Sequence, residues 1–280
     1  MINTEIRQRS FLKWAGNKYL LIEEITKSLP PAGKLIEPFL GSGAVFLNTT
    51  HDKYLLNDIN KDLINVFHQV KKNCNQFIND LIPFFTPEQN SPERYYELRL
   101  IFNATDDTYL KALLFVYLNR HGFQGLCRYN LSGVFNVPYG HYKKVRLPIE
   151  EIKAAAKKSK KAKFISQPFT EVFRRARAGD VIYCDPPYTK LTETARFTSY
   201  FTNGFSNADH IKLADLAVKA RDRGVGVVIS NHETPATNRL YSSADIKRTI
   251  SVRRSINAKS SSQKTAKELI VAYLPSRQPC

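Results

Sequence analysis

The stretch 34–47 constrains the fold more than any other part of the chain. Lys34-Leu-Ile-Glu-Pro38 is a short apolar run of strand length, Gly41-Ser-Gly43 allows a tight turn, and Ala44-Val-Phe-Leu47 opens a helix directly behind it. Strand, glycine turn and helix in immediate succession form the first half of a βα repeat, the building unit of sheets with helices on their faces. Tyr54-Leu-Leu-Asn-Asp58 predicts a second strand ending in an acidic residue. The helical spacing of Leu63, Ile64, Phe67 and Val70 then predicts a helix across 61–81.

From about residue 62 to 148 the character changes: helices are predicted over 92–103, where Pro92 suits a first turn behind Ser91, and over 108–120, with no strong buried strand. The segment ends in Cys127-Arg-Tyr-Asn-Leu-Ser-Gly-Val-Phe-Asn-Val137, where Ser132-Gly133 between alternating stretches predicts a β-hairpin flanked by basic residues. The Lys-rich run 153–163 reads as a solvated helix face. Beyond it the α/β pattern returns, with strand 163–166, helix 169–177, strand 180–184, helix 207–223 and strands 225–230, 246–252 and 268–274. The expected fold class is α/β, a mainly parallel sheet with an antiparallel pair at its C-terminal edge, interrupted by an inserted helical domain.

Charge narrows the partner. Lys and Arg number 42 against 25 Asp and Glu, a formal net charge of +17, which calls for a polyanion. No basic amphipathic helix with a strong apolar face points to a membrane surface instead, and no apolar run approaches the roughly 20 residues that span a bilayer. Nucleic acid is the expected partner, with no membrane. The N-terminus lacks an apolar signal-peptide core, which predicts a cytoplasmic protein. Cys74, Cys127, Cys184 and Cys280 are scattered without metal-ligand spacing, so reduced thiols and no metal are expected.

Two motifs carry chemistry. Glu37-Pro-Phe-Leu-Gly-Ser-Gly43 places two glycines where backbone must approach a ligand, but lacks the third glycine of a dinucleotide site; it suits a smaller nucleoside, with Asp58 placed to accept from ribose hydroxyls. Asp185-Pro-Pro-Tyr188 follows the apolar strand Val181-Ile-Tyr-Cys184. Its prolines stiffen the loop and remove two donors, leaving acceptors at a strand end. The Asp185 carboxylate and the Pro186 carbonyl can each take one hydrogen of an exocyclic amine and orient its lone pair for attack on a methyl group. Tyr188 offers a ring on which an extruded base can stack.

Together, Phe11-Leu-Lys-Trp-Ala-Gly-Asn-Lys18, Glu37-Pro-Phe-Leu-Gly-Ser-Gly43, Asn57-Asp58 and Asp185-Pro-Pro-Tyr188 resemble the Dam family of adenine-N6 DNA methyltransferases, nearly end to end. Leu118-Asn-Arg-His-Gly-Phe-Gln-Gly-Leu-Cys-Arg-Tyr-Asn130, Phe135-Asn-Val-Pro138, Ser230-Asn-His232 and Arg253-Arg-Ser-Ile256 are similar as well. The motif order is that of the α subgroup. The resemblance implies a Rossmann-like S-adenosylmethionine-dependent catalytic domain, 1–61 and 149–280, with a target-recognition domain at 62–148. It implies transfer of methyl from S-adenosyl-L-methionine, without metal, to a flipped adenine in double-stranded DNA, within GATC. A monomer is expected, since one flipped base needs one site.

Carried over residue by residue, the resemblance assigns Trp14, Lys18, Glu37, Phe39, Gly41, Gly43, Asp58 and Asp185 to the cofactor, and Asp185, Pro186 and Tyr188 to catalysis. It assigns Arg128 to a guanine of GATC, Leu126 and Pro138 to the thymine, and Lys13 to the first guanine. Phe123 falls at the intercalating position and Gln124 opposite the orphaned base, with Asn119 and Asn130 grouped among the DNA contacts. Two positions depart from the family pattern: Asn17 stands where Gly is usual, and Phe123 where Tyr is common. Asn tolerates a left-handed backbone, and Phe still wedges without the hydroxyl.

Other readings are weaker. A cytosine-C5 enzyme needs a held cysteine nucleophile, yet the one Pro-Cys pair is Pro279-Cys280, and Cys184 is expected to point into the sheet. Cytosine-N4 transfer suits the same chemistry but not as well the Asp and Tyr that bound the motif. An adenine methyltransferase of another target sequence or restriction-modification system, a nonenzymatic DNA-binding regulator on the same fold, and a nicotinamide dehydrogenase are the remaining alternatives.

Overall fold

In the computed structural model the described residues are 7–187, 205–253 and 265–275. The helices are α1 (Ile22–Ser28), α2 (Ala44–Asn48), α3 (Lys61–Lys72), α4 (Cys74–Leu81), α5 (Pro92–Ala104), α6 (Thr108–His121), α7 (Ile149–Ser159), α8 (Phe169–Arg174), α9 (Asn207–Asp222) and α10 (Pro235–Leu240). The strands are β1 (Lys34–Glu37), β2 (Lys53–Asn57), β3 (Ala162–Ile165), β4 (Asp180–Cys184), β5 (Gly226–His232), β6 (Ile246–Arg253) and β7 (Thr265–Tyr273). They form one sheet in the order β3-β2-β1-β4-β5-β7-β6, so the fold is mixed α/β.

The chain divides into two compact units, one of 1–19, 40–50 and 56–166, the other of 20–39, 51–55 and 167–280. The second holds most of the sheet. β1, β4 and β5 run parallel, and β7 lies antiparallel between β5 and β6, so the C-terminal edge carries two antiparallel pairings where one was expected. The central strands are near-continuous apolar runs, Leu35-Ile36, Val181-Ile-Tyr-Cys184 and Val227-Val-Ile229, and all these side chains are buried. Burial on both faces is what a strand inside a parallel sheet requires. The pairing of Cys184 with Ile229 brings Asp185 level with Ser230.

The first unit is mainly helical. Leu63, Ile64, Val66, Phe67 and Val70 bury one face of α3, and Phe67 stacks on Phe164 of β3 with ring centres 5.1 Å apart. α6 is buried along its length, from Ala112 to Asn119. The expected helix 61–81 is broken at Asn73, whose backbone leaves the helical region while its side chain accepts from the Gln76 N–H and caps α4. Asparagine competes well for helix backbone donors, which is why the break falls there.

The hairpin path 127–137 is present but thin. It is held by the isolated bridge Tyr129↔Phe135 and by single hydrogen bonds from the Asn130 N–H to the Val134 carbonyl and from the Asn136 N–H to the Arg128 carbonyl, not by a continuous ladder. A further bridge, Gly122↔Tyr139, lies just outside it. Within the Lys-rich run Lys153, Lys157 and Lys160 are exposed, as expected, but Lys158 turns inward. Its ammonium donates to the carbonyls of Leu47 and Thr49, which the end of α2 leaves without helical partners. Helices α1 and α10 were not foreseen. α10 is signalled by Thr234-Pro235, a capping hydroxyl before a proline in the first turn.

Candidate functional site

In the second unit, β4 delivers Asp185 to the strand end where the parallel order turns. The Ser230 hydroxyl donates to Asp185 Oδ1 at 3.2 Å and lies 2.8 Å from the Tyr183 hydroxyl, a short polar chain through otherwise apolar sheet. Burial pushes the Tyr183 phenol well above its ordinary range, so it remains a neutral hydrogen-bonding group. Pro186 is buried and Pro187 half-buried, so the loop is pinned directly behind the carboxylate. Such an arrangement presents acceptors to a ligand amine.

Glu37 is buried at the end of β1, and Phe39 beside it meets Phe169 and Phe205 with ring centres 5.6 and 5.5 Å apart. Burial also raises the Cys184 thiol well above its ordinary value, so it stays protonated and is no nucleophile. Tyr188 lies outside the described residues.

In the first unit the glycine loop has the form the sequence predicts. Gly41 has φ +50°, and a Cβ there would sit 2.8 Å from Trp14 Nε1, so neither backbone nor space tolerates a side chain. Gly43, also left-handed, is the N-cap of α2. Trp14 is half-buried and faces the loop instead of filling a core. Asp58 ties the loop: Oδ2 accepts the Gly41 N–H and Oδ1 the Asn60 N–H, both at 3.0 Å. Burial pushes the Asp58 carboxyl up while backbone donors at Asn60, Gly41 and Ile59 pull it down. A carboxylate offers about four lone pairs, so it can still take a hydroxyl. An indole face, a side-chain-free backbone and a carboxylate together suit a nucleoside-sized ligand. Lys18 is buried and donates to the Gly16 carbonyl at 2.8 Å.

The residues expected at DNA also lie in this unit. The Lys13 N–H donates to Asn119 Oδ1 and Asn119 Nδ2 donates back to the Lys13 carbonyl, both at 2.8 Å. Asn119 is buried by this exchange, so its bearing on a ligand runs through Lys13. Lys13 Nζ donates to the Arg120 carbonyl at 2.9 Å and lies 3.6 Å from the centre of the Tyr142 ring. Burial, and then the charge of Arg120, lower its pKa to about 8.

Phe123 is exposed, and Gln124 is one of two non-glycine residues with positive φ among those described. The turn is held by the Phe123 N–H on the Pro138 carbonyl and the Gln124 N–H on the Tyr142 hydroxyl, each at 2.9 Å. Leu126 is half-buried and Pro138 exposed. Arg128 is exposed and its fork rests on Asn136, Nε to Oδ1 at 2.7 Å and Nη2 to the backbone carbonyl at 3.1 Å. Asn130 shapes the hairpin turn, its Oδ1 accepting from the N–H groups of Ser132 and Val134.

Three supporting residues escaped the sequence reading. Ser230 was visible only inside a similar tract with no role attached, because its partner Asp185 is distant in sequence and adjacent only through strand register. Asn136, too, lay inside a similar tract with no role attached, and Tyr142 belongs to a loop, where no periodicity marks which side chain turns inward.

Residues 14–255 match the family described as D12 class N6 adenine-specific DNA methyltransferase. Proteins named DNA adenine methylase from Vibrio cholerae, Serratia marcescens and Escherichia coli are similar to this chain. Their identities are 47%, 46% and 43%, over 96%, 95% and 96% of this chain and 97%, 99% and 96% of their own.

Proposed function

Because the chain belongs to the D12 class of N6 adenine-specific DNA methyltransferases, we propose that it methylates the adenine of GATC in duplex DNA, using S-adenosylmethionine. The observation that carries the amine-directed chemistry is the Asp185 carboxylate at the end of β4, oriented by Ser230 and backed by buried Pro186.

S-adenosylmethionine supplies an electrophilic methyl group on a sulfonium whose departure as a neutral thioether needs no metal. The protein's part is placement. In the first unit, Trp14, Lys18, Gly41, Gly43 and Asp58 are assigned to holding the cofactor; in the second, Glu37, Phe39 and Asp185. Adenine N6 is a poor nucleophile because its lone pair is delocalised into the ring. Asp185 and the Pro186 carbonyl accept hydrogen bonds from its two hydrogens and favour a pyramidal amine whose pair is localised on N6 for attack on the methyl group, with Tyr188 assigned to stacking on the base. The surplus proton leaves once the N–C bond has formed. The amine of a paired adenine is inaccessible, so the base must leave the duplex.

Residues 62–148 are assigned to target recognition, and 1–61 with 149–280 to catalysis. Arg128 suits guanine O6 and N7, Leu126 and Pro138 the thymine methyl, Phe123 the gap left by flipping and Gln124 the orphaned base. Lys13 is assigned to the first guanine, with Asn119 and Asn130 bracing these readers. No helix among the described residues is long and apolar enough to cross a membrane. Cytoplasmic action as a monomer completes the reading.

Labelled methyl transfer to two duplexes, one with GATC and one with its adenine replaced, tests it. Label recovered as N6-methyladenine from the first alone is expected; label in another base or another site would refute the assigned target. In Arg128→Ala, preference for the guanine pair should fall by about 1–3 kcal/mol while transfer to GATC persists.

A further inference from the structure

The loop that carries Asp58 is hydrogen-bonded to the segment that carries Leu126 and Arg128, all within the first unit. Asn60 is the hub. Its N–H donates to Asp58 Oδ1 at 3.0 Å, its Oδ1 caps α3 by accepting the Leu63 N–H at 3.1 Å, and its Nδ2 donates to Cys127 Sγ at 3.3 Å. Two residues on, Asp62 Oδ2 accepts the Tyr129 hydroxyl at 2.7 Å. Cys127 stands between Leu126 and Arg128, and Tyr129 follows Arg128. Burial and the nearby Asp58 charge push the Cys127 thiol up to about 12, so the sulfur is a neutral, persistent acceptor and not a reactive thiolate.

One hydrogen bond would leave the segment free to pivot; two, on alternate residues, fix its direction as well as its distance. The turn itself faces solvent, with Leu131 fully exposed, while the returning arm is tied to α5, where Asn103 exchanges hydrogen bonds with the Phe135 N–H and carbonyl and Tyr95 and Arg99 donate to the Val137 carbonyl. The leading arm, which carries Leu126 and Arg128, is thus tied from the α3 side through the same short loop that presents Asp58, and the returning arm from α5.

We propose that Asn60–Cys127 and Asp62–Tyr129 form a two-point latch that couples cofactor occupancy at Asp58 to base reading by Leu126 and Arg128. It rests on the roles given to those residues under the proposed function. Asn60, Asp62, Cys127 and Tyr129 are positioning residues, touching neither base nor methyl donor. A ribose hydroxyl on Asp58 would join Asn60 on the same carboxylate, and any shift in that loop is carried to Cys127 and Tyr129. Coupling of this kind is reciprocal and changes affinity by about fivefold to a hundredfold.

The test measures affinity for a GATC duplex and for one altered at the guanine pair assigned to Arg128, each with and without S-adenosylhomocysteine as the probe. In the unaltered protein the probe should raise the ratio of the two affinities. In the Cys127→Ala/Tyr129→Phe variant that rise should be lost, while affinity for the probe alone stays within about twofold. Asp62→Asn keeps an acceptor oxygen for Tyr129 and should retain the rise. Should the double variant fail to fold, Tyr129→Phe alone, which removes a single oxygen, should show a reduced rise. An undiminished rise in the variants overturns the latch, as does an unaltered protein that prefers GATC equally with and without the probe. An unaltered protein with no preference for GATC overturns the proposed target first, and the latch with it.

Discussion

Asp185 has a defined orientation because Ser230 holds one carboxylate oxygen and leaves the group aimed from a proline-stiffened loop. Removing it takes away an acceptor for the amine without touching the residues assigned to DNA. Asp185→Ala should lower single-turnover methyl transfer by about a hundredfold to a thousandfold, the range for losing one preorganised polar group, while duplex affinity in a gel-shift titration is unchanged. Gln124 poses the opposite case. Its φ of +53° costs a non-glycine residue roughly 1 kcal/mol or more, a strain retained where the side chain is useful. Gln124→Gly should therefore raise the thermal midpoint yet slow base flipping, followed by a fluorescent base analogue at the target adenine; a stabilised variant that flips normally would remove Gln124 from the recognition apparatus.

At the scale of the element, α6 does more than fill the core. Its end holds Lys13 through the exchange of hydrogen bonds with Asn119, and the Arg120 carbonyl takes the ammonium. This half-buried placement beside Arg120 lowers the Lys13 pKa to about 8 from 10.5, so its charge is lost at a lower pH than that of an ordinary lysine. With Lys13 at the first guanine, as proposed, discrimination there should be present below pH 8 and fall as pH rises through it, with bound DNA drawing the midpoint upward because the duplex favours the charged form. The ratio of kcat/KM for GATC over a duplex altered at that guanine, measured from pH 7 to 9.5, should decline, and Lys13→Arg should flatten the profile.

For the whole molecule, pH acts on stability through two buried imidazoles. His121 and His210 are buried and lowered to about 4 from 6.5, chiefly by burial. A lowered value in the folded state means that the unfolded chain takes up these protons first. Stability is thus intact above 6.5 and is lost as pH falls from 6.5 toward 4, by roughly 3 kcal/mol per histidine at about 1.4 kcal/mol per pH unit. Urea unfolding at pH 7 and pH 4.5 should differ accordingly, and His121→Gln should narrow the difference. The net charge of +17 acts on partners instead of fold. Duplex affinity should therefore fall steeply with added salt in a titration, as counterion release requires.

The βα alternation, the glycine loop, Asp58 and the Asp185-Pro-Pro motif were legible in the chain because each is local: a run of apolar residues, a backbone needing no Cβ, an acidic residue ending a strand. Periodicity also found α3, α5, α6 and α9 with most of their ends. It missed the break at Asn73, where one side-chain cap outweighed a continuous apolar pattern. It also missed the inward turn of Lys158, because composition cannot tell a solvated ammonium from one capping a distant helix. Only the tertiary structure decided that Ser230 meets Asp185, that Asn119 holds Lys13 and that Asn60 and Asp62 reach Cys127 and Tyr129. Those pairings join residues far apart in sequence, and their geometry follows from strand register and helix packing, which no local pattern encodes.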